Sequence, residues 1–483
     1  MKKWSPRPLL AGLLLLVMPG VAAAQGSAVR SQITQRVDET KLATLPGNTH
    51  PLARAEFDRG AAPASLAMEH MLLVLKRSPE QEAALEMLLA QQQDKTSPNY
   101  HKWLTPDQFG QQFGPSDQDI QTIVSWLQSH GFQNLNVSNG RTTIDFSGTA
   151  GQVEAAFHTS IHKYVLPGGQ EHWANAADPR IPSALNVVVS GVNSLNNFPK
   201  KPLHHASGVV RRSTATGKYT RVSPEFTFGP ISNYCDSPTT NCYGIGPGDF
   251  ATIYNVPSTI NGTVPGTGQT IAVVSDSDIY TSDVNEFRSL FGLPAINFNQ
   301  IETGTDPGVQ FNQNNSDEEE AIIDVEWSGA VAPGATIDLV VSPSTNTTFG
   351  GDTSANYVIN CQIAGPNCPA GAVPASILSY SYGECELSLG AAGNQFHYNE
   401  WQQASAEGIT VLVAAGDTGS AGCDSNSAAF NPAQYGLQVN GVASTPYNVA
   451  VGGTDFNDLN NPTTYFSNNS GAINSALGYI PEA

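Results

Sequence analysis

Residues 315–335 read NSDEEEAIIDVEWSGAVAPGA. Four consecutive acids, Asp317, Glu318, Glu319 and Glu320, run into an apolar segment that carries a fifth, Asp324. A helix places positions four apart on one face, so Glu320 and Asp324 stack there, with Ile323 and Trp327 flanking. Two carboxylates in a partly apolar setting do not both ionise cheaply, and one pKa rises. Such a pair can act as a general base in acid. The same spacing also suits an ordinary acidic first turn that complements the helix dipole. A second candidate is Asp417, in the turn Gly416-Asp417-Thr418-Gly419 that follows the apolar run ITVLVAA. A protonated Asp there can donate to an oxyanion, and an unprotonated one can cap turn amides.

Imidazole chemistry has little to stand on in this region. The chain has ten His, and nine lie at or before His205. The tenth, His397, sits inside a helical pattern, NQFHYNEWQQ, where a packed or solvated ring is expected. HExxH and GxSxG are both absent, which removes zincin and nucleophile-elbow readings.

The elements that must position these acids follow from periodicity. From about residue 245, apolar strands (GQTIAVVSDSD, TIDLVVS, ASILSYSYG, ITVLVAA) alternate with helical stretches. That alternation predicts a mostly parallel sheet with helices on both faces, and ligands beyond the strand C-termini. Residues 25–200 predict a separate α+β domain in the order strand, helix, helix, strand, helix, strand, which fits a ferredoxin-like sandwich. Residues 201–228 form a basic, polar, non-periodic linker, and the Lys200-Lys201 and Arg211-Arg212 pairs are candidate cleavage points on an exposed segment.

Charge divides at the same place. Residues 1–221 hold 21 Lys and Arg against 16 Asp and Glu; residues 222–483 hold 26 acids and one cation, Arg288. Such a domain repels itself at neutral pH and is relieved as carboxylates protonate, so an acidic working environment is expected. No basic patch exists there for nucleic acid. Residues 1–24 combine an early basic stretch, a short apolar run and small residues, the pattern of a secretory signal. Six cysteines then suggest disulfides, paired in order as Cys235/Cys242, Cys361/Cys368 and Cys385/Cys423. A secreted, extracellular protein, free of the membrane once the signal is removed, is expected.

EAIIDVEWSGAVAPGA (320–335), ITVLVAAGDTGS (409–420) and SILSYSYG (376–383) resemble the Glu-x-x-x-Asp helix, oxyanion-loop strand and cleft strand of the sedolisin, or serine-carboxyl, peptidases. YHKWLTPDQFGQQFGPS (100–116) and HWANAADPRIPSAL (172–185) resemble the kumamolisin-type activation domain. The resemblance implies a subtilisin-like α/β fold over residues 229–483, C-terminally incomplete, behind an activation prodomain at 25–200. It implies a monomeric acid endopeptidase made as a zymogen, with a polypeptide substrate and its own prodomain as inhibitor and folding aid. Glu320 would then be the base for a serine, Asp324 its orienter and Asp417 the oxyanion donor, while Asp276 in VVSDSD would be a substrate-side or structural residue. The family's serine lies in a Gly-Thr-Ser motif followed by a calcium site. These 483 residues contain no Gly-Thr-Ser; VGGTDF (451–456) has Asp455 in its place. Serine and calcium ligands are therefore expected beyond residue 483, with no turnover from this stretch alone. A non-catalytic binding protein and a glycoside hydrolase are the competing classes.

Overall fold

The computed structural model describes residues 29–198, 200, 245–310, 317–416, 418–424, 435–454, 456, 464–467 and 476–482, and the backbone alone of 201–202, 211–212, 219–220, 227–228, 242–243 and 462–463. The leading segment, most of the basic linker, Cys235 with the side chain of Cys242, and Asp417 lie outside the described residues.

In the N-terminal half, the strand Ala67–Leu75 pairs antiparallel with Thr143–Thr149 on one side and Val189–Val192 on the other, and Gln133–Val137 adds outside Thr143–Thr149. Numbered along the chain, the strands lie in the order 2-3-1-4. The helices Asp117–Ser129 and Ala150–Phe157 provide the two crossovers. This is the expected ferredoxin-like sandwich. Both helices begin where the sequence supplies a hydroxyl cap, Ser116 and Thr149. Met71 and Leu73 face those helices in a core with Ile123, Leu127, Phe146 and Phe157. Strand periodicity sends the intervening Leu72 and Val74 to the other face, where they meet Phe396 of the C-terminal half. The run MLLVL is apolar without alternation because both of its faces are covered. A hairpin, Ile161–Val165 with Glu171–Asn175, completes the expected elements.

The C-terminal half is a six-stranded sheet in the spatial order Asn297–Glu302, Thr336–Val341, Thr270–Ser275, Ile377–Tyr380, Thr410–Ala414, Val449–Val451, parallel throughout. Ile271 and Val273 pack with Val284, Ala321 and Val325 of the helices Thr281–Phe291 and Asp317–Val331. Ala272 and Val274 face the opposite way, toward Ala355, Val358, Trp401 and Ala404 of Gly350–Asn360 and Glu386–Glu407. The chain leaves the central strand Thr270–Ser275 to one side and later returns to the other through Ile377–Tyr380. The switch point therefore lies at the C-terminal end of the central strand, where such sheets place ligands. Two expected disulfides are present, Cys361–Cys368 and Cys385–Cys423.

The long helix Glu386–Glu407 is broken at Gly390, whose φ of 65° and ψ of −173° are non-helical. The amide of Ala391 donates to the Gly47 carbonyl at 2.7 Å, and that of Ala392 to Asn48 Oδ1 at 2.8 Å. An arm of the N-terminal half thus caps the second segment of this helix. A Cβ on residue 390 would stand 2.4 Å from the Gly47 carbonyl oxygen, so only glycine fits.

Candidate active site

The acidic helix Asp317–Val331 ends before the APGA turn, as its sequence predicts. Its first turn is not solvated: Asp317, Glu318 and Glu320 are all buried. The inward stripe is Ala321 and Val325, so Asp324 is half-buried. Ile323, expected to flank the Glu320 face, is 39 % exposed. Trp327 does pack, with its ring 5.9 Å from Phe250 and 6.3 Å from Phe287.

The end of the strand Ile377–Tyr380 anchors this helix. Ser381 Oγ donates to Asp324 Oδ2 at 2.6 Å. Tyr382 hydroxyl lies 2.8 Å from Ser275 Oγ on the central strand and 3.5 Å from the Asp317 carbonyl. Burial raises the Tyr382 phenol far above its ordinary range, and the negative charges of Asp276, Asp317 and Glu320 add to that. Asp324 and the start of its helix at Asp317 are thus tied into the switch point through the SYSYG segment. Asp276, one residue past the central strand, is buried and accepts from Ser344 Oγ at 2.6 Å; burial pushes its pKa to about 6. Asp417, three residues along the chain from the end of the strand Thr410–Ala414, lies outside the described residues.

A cavity of about 190 Å³ adjoins this edge, lined from the N-terminal half by Asn193 and Lys200 and from the C-terminal half by Asp276, Asp317, Asp352 and Glu384. Its floor is a buried polar knot that sequence reasoning missed. Lys200 Nζ is 2.5 Å from Asp352 Oδ2 and 3.0 Å from His397 Nε2. Asn193 Nδ2 donates to Asp352 at 2.8 Å, and Tyr380 hydroxyl at 2.6 Å. Burial alone would raise the Asp352 pKa; the Lys200 ammonium, helped by the Tyr380 hydrogen bond, outweighs it and holds the carboxylate below its usual range. Lys200, expected on an exposed linker, is buried, because this charge partner sits 152 residues further along the chain. His397 is fully buried; desolvation first, then the Lys200 charge, hold its pKa down at about 3. A ring held neutral so far into the acid range is a packing element, as its mid-helix position predicts.

Other carboxylates of this half are shifted upward. Glu326 is pushed to about 9 by burial, with Asp283 and Glu318 adding repulsion. Glu400, buried where the two halves meet, accepts from Thr142 and Asn356 and still rises to about 7 through desolvation.

A sheet whose switch point is built from carboxylates, covered by a ferredoxin-like domain, defines a class: an α/β protein with an N-terminal domain docked over its ligand edge. Residues 57–198 match the family "Pro-kumamolisin, activation domain". The chain is 30 % identical over 437 residues to xanthomonalisin of Xanthomonas sp. (strain T-22), covering 85 % of this chain and 49 % of that protein. It is 28 % identical over 401 residues to sedolisin of Pseudomonas sp. (strain 101), covering 82 % and 62 %, and 26 % identical over 421 residues to kumamolisin of Bacillus sp. (strain MN-32), covering 86 % and 67 %. The solved structure of Pseudomonas sedolisin, a serine-carboxyl proteinase, complexed with two molecules of pseudo-iodotyrostatin aligns at 24 % identity and a TM-score of 0.34, covering 44 % of this chain and 54 % of that one. Over most of its length the chain is similar to these sedolisin-type peptidases, and residues 57–198 match the activation domain. It spans about half to two thirds of the length of these relatives.

Proposed function

We propose that this chain is part of a secreted, acid-active serine-carboxyl endopeptidase made as a zymogen. Glu320 takes the proton of a serine hydroxyl, Asp324 orients Glu320, and protonated Asp417 donates to the oxyanion. The serine, and the calcium site that the family implies, would be supplied by residues these 483 do not include. The observation that carries the reading is the Ser381–Asp324 hydrogen bond, which fastens the Glu-x-x-x-Asp helix to the cleft strand at the sheet's switch point. Glu320 is buried one turn before Asp324, a setting in which a carboxylate can serve as base. A sugar-flanking pair is disfavoured, since residues on successive turns of one helix project to the same side.

Latency follows from where the activation domain lies. Asn193 and Lys200 line the cavity beside Asp317, so an intact chain partly fills the edge a substrate would use. Acid operation follows from 26 acids facing one Arg after residue 221. Secretion rests on the leading sequence, and no helix among the described residues is long and apolar enough to cross a membrane.

The test is expression of the complete reading frame and assay on denatured protein at pH 3.5–4. Glu320→Gln and Asp417→Asn should each lower kcat by about 10²–10⁴-fold and block self-processing. Undiminished processing in both variants, or activity on polysaccharide instead of protein, overturns the assignment.

A further inference from the structure

Three carboxylates that the proposed mechanism does not use converge at the same edge of the sheet. Asp278 lies just past the central strand, Glu302 ends the edge strand Asn297–Glu302, and Asp306 sits in the following loop, TGTDPG. One oxygen from each lies within 4.8 Å of the others. Glu302 and Asp306 are exposed, but Asp278 is only 7 % exposed. Its Oδ1 is buried and has no hydrogen-bond partner among the described residues. A buried, unpartnered carboxylate oxygen is costly unless a cation or a proton meets it.

Among the described residues no Lys, Arg or His forms a salt bridge to these three carboxylates; Arg288, the one Lys or Arg after residue 221, donates through Nε to the Pro294 carbonyl at 2.5 Å instead. The backbone meanwhile holds the cluster together. Asp278 N donates to the Gly308 carbonyl at 3.2 Å, Gln310 N to Ser277 Oγ at 2.8 Å, and Gly308 N to Asp306 Oδ1 at 2.6 Å. Ile279 N donates to Gln300 Oε1 at 3.3 Å, while Gln300 Nε2 donates to Glu302 Oε1 at 3.3 Å. The donor set is oxygen only, which selects a hard cation. Calcium binds oxygens at roughly 2.3–2.6 Å, so ligands around one ion stand up to about 5 Å apart, as wide as this cluster.

We propose that Asp278, Glu302 and Asp306 form a calcium site that fastens the 303–310 loop to the end of the central strand. The site is separate from the one the family implies beyond residue 483, and it does not rest on the peptidase reading. Along the chain this loop precedes the acidic helix that begins at Asp317. The competing occupant is a proton shared between Asp278 and Asp306. Burial first, then a hydrogen bond with Asp306 and the charges of Asp306 and Glu302, push Asp278 to about 7, which favours that proton when no cation is bound.

The test is calcium titration of the whole chain, freed of metal with EDTA, at pH 7, read by calorimetry and by thermal unfolding. Sites of this kind in extracellular proteins bind with Kd of about 10⁻⁴–10⁻³ M. Calcium at 10 mM should then raise the folded-to-unfolded ratio about 10- to 100-fold. Glu302→Gln and Asp306→Asn change exposed side chains, so both should fold, and each should lose one bound calcium and most of the thermal shift. Asp278→Asn should do the same. A wild-type chain whose unfolding is unmoved by calcium overturns the proposal in favour of the shared proton. So do variants that bind as many calcium ions, as tightly, as the wild type.

Discussion

Replacing His397 by Gln should change how the protein's stability responds to acid, by an amount the structure sets. The ring is fully buried against Tyr380, Phe396 and Trp401, with Nε2 facing the Lys200 ammonium. Desolvation and that charge hold its pKa at about 3, against an ordinary 6.5. Below pH 6.5 the unfolded chain takes a proton here, whereas the folded chain refuses it until about pH 3. Acid therefore favours unfolding across that window, at about 1.4 kcal/mol per pH unit, or about 5 kcal/mol over its width. Glutamine keeps an acceptor for Lys200 and cannot titrate. The buried carboxylates act in the opposite direction. Glu400, near 7, and Asp276, near 6, bind protons more readily when folded, so they stabilise as pH falls. Both proteins share those contributions, and they cancel in the difference. Urea denaturation of wild type and His397→Gln at pH 6.5, 5.5, 4.5 and 3.5 should show the variant gaining about 4 kcal/mol relative to wild type across the series. Parallel curves, differing by less than about 1 kcal/mol in their change with pH, would refute the reasoning.

Lys200→Met should cost about 3–5 kcal/mol in urea denaturation at pH 7, because it strands the Asp352 charge in the interior. Adding Asp352→Leu should recover much of that loss, and a double-mutant cycle would measure the coupling. Glu400→Gln should stabilise by about 3 kcal/mol at pH 8 and by little at pH 4. Its carboxylate has a raised folded-state pKa, so its favourable contribution is complete only below the ordinary value and is lost as pH climbs through about 7. Thermal unfolding at the two pH values checks this.

The sheet and its covering helices were legible because TIAVVS, TIDLVV and TVLVA are apolar on both faces and are separated by helical stretches. Cysteine order gave Cys361–Cys368 for a local reason, a span of only seven residues, and Cys385–Cys423, 38 residues apart, as the pair left over. The acidic helix was legible in its boundaries and less so in its facing. Spacing put Glu320 and Asp324 together, but only tertiary packing turns Ala321 and Val325 inward and leaves Ile323 in water. Lys200 was misread because a basic, polar neighbourhood implies solvent, and the Asp352 that neutralises it belongs to another domain-scale unit. Ser381 and Tyr382 gave no local signal either. Their partners Asp324 and Ser275 lie 57 and 107 residues away, and a hydroxyl at a strand end reads as generic turn chemistry.

The break at Gly390 gives the docked arm a second task. Gly47 and Asn48 furnish the acceptors that two amides of the long helix lack at that interruption. Departure of the N-terminal domain would therefore uncover two donors in the C-terminal half as well as a surface. Those amides must then take water, or the strand-to-helix junction after Cys385 must rewind to meet them. Loss of that arm would be a local refolding of the C-terminal half, and the helix that loses its cap also holds His397 and Glu400.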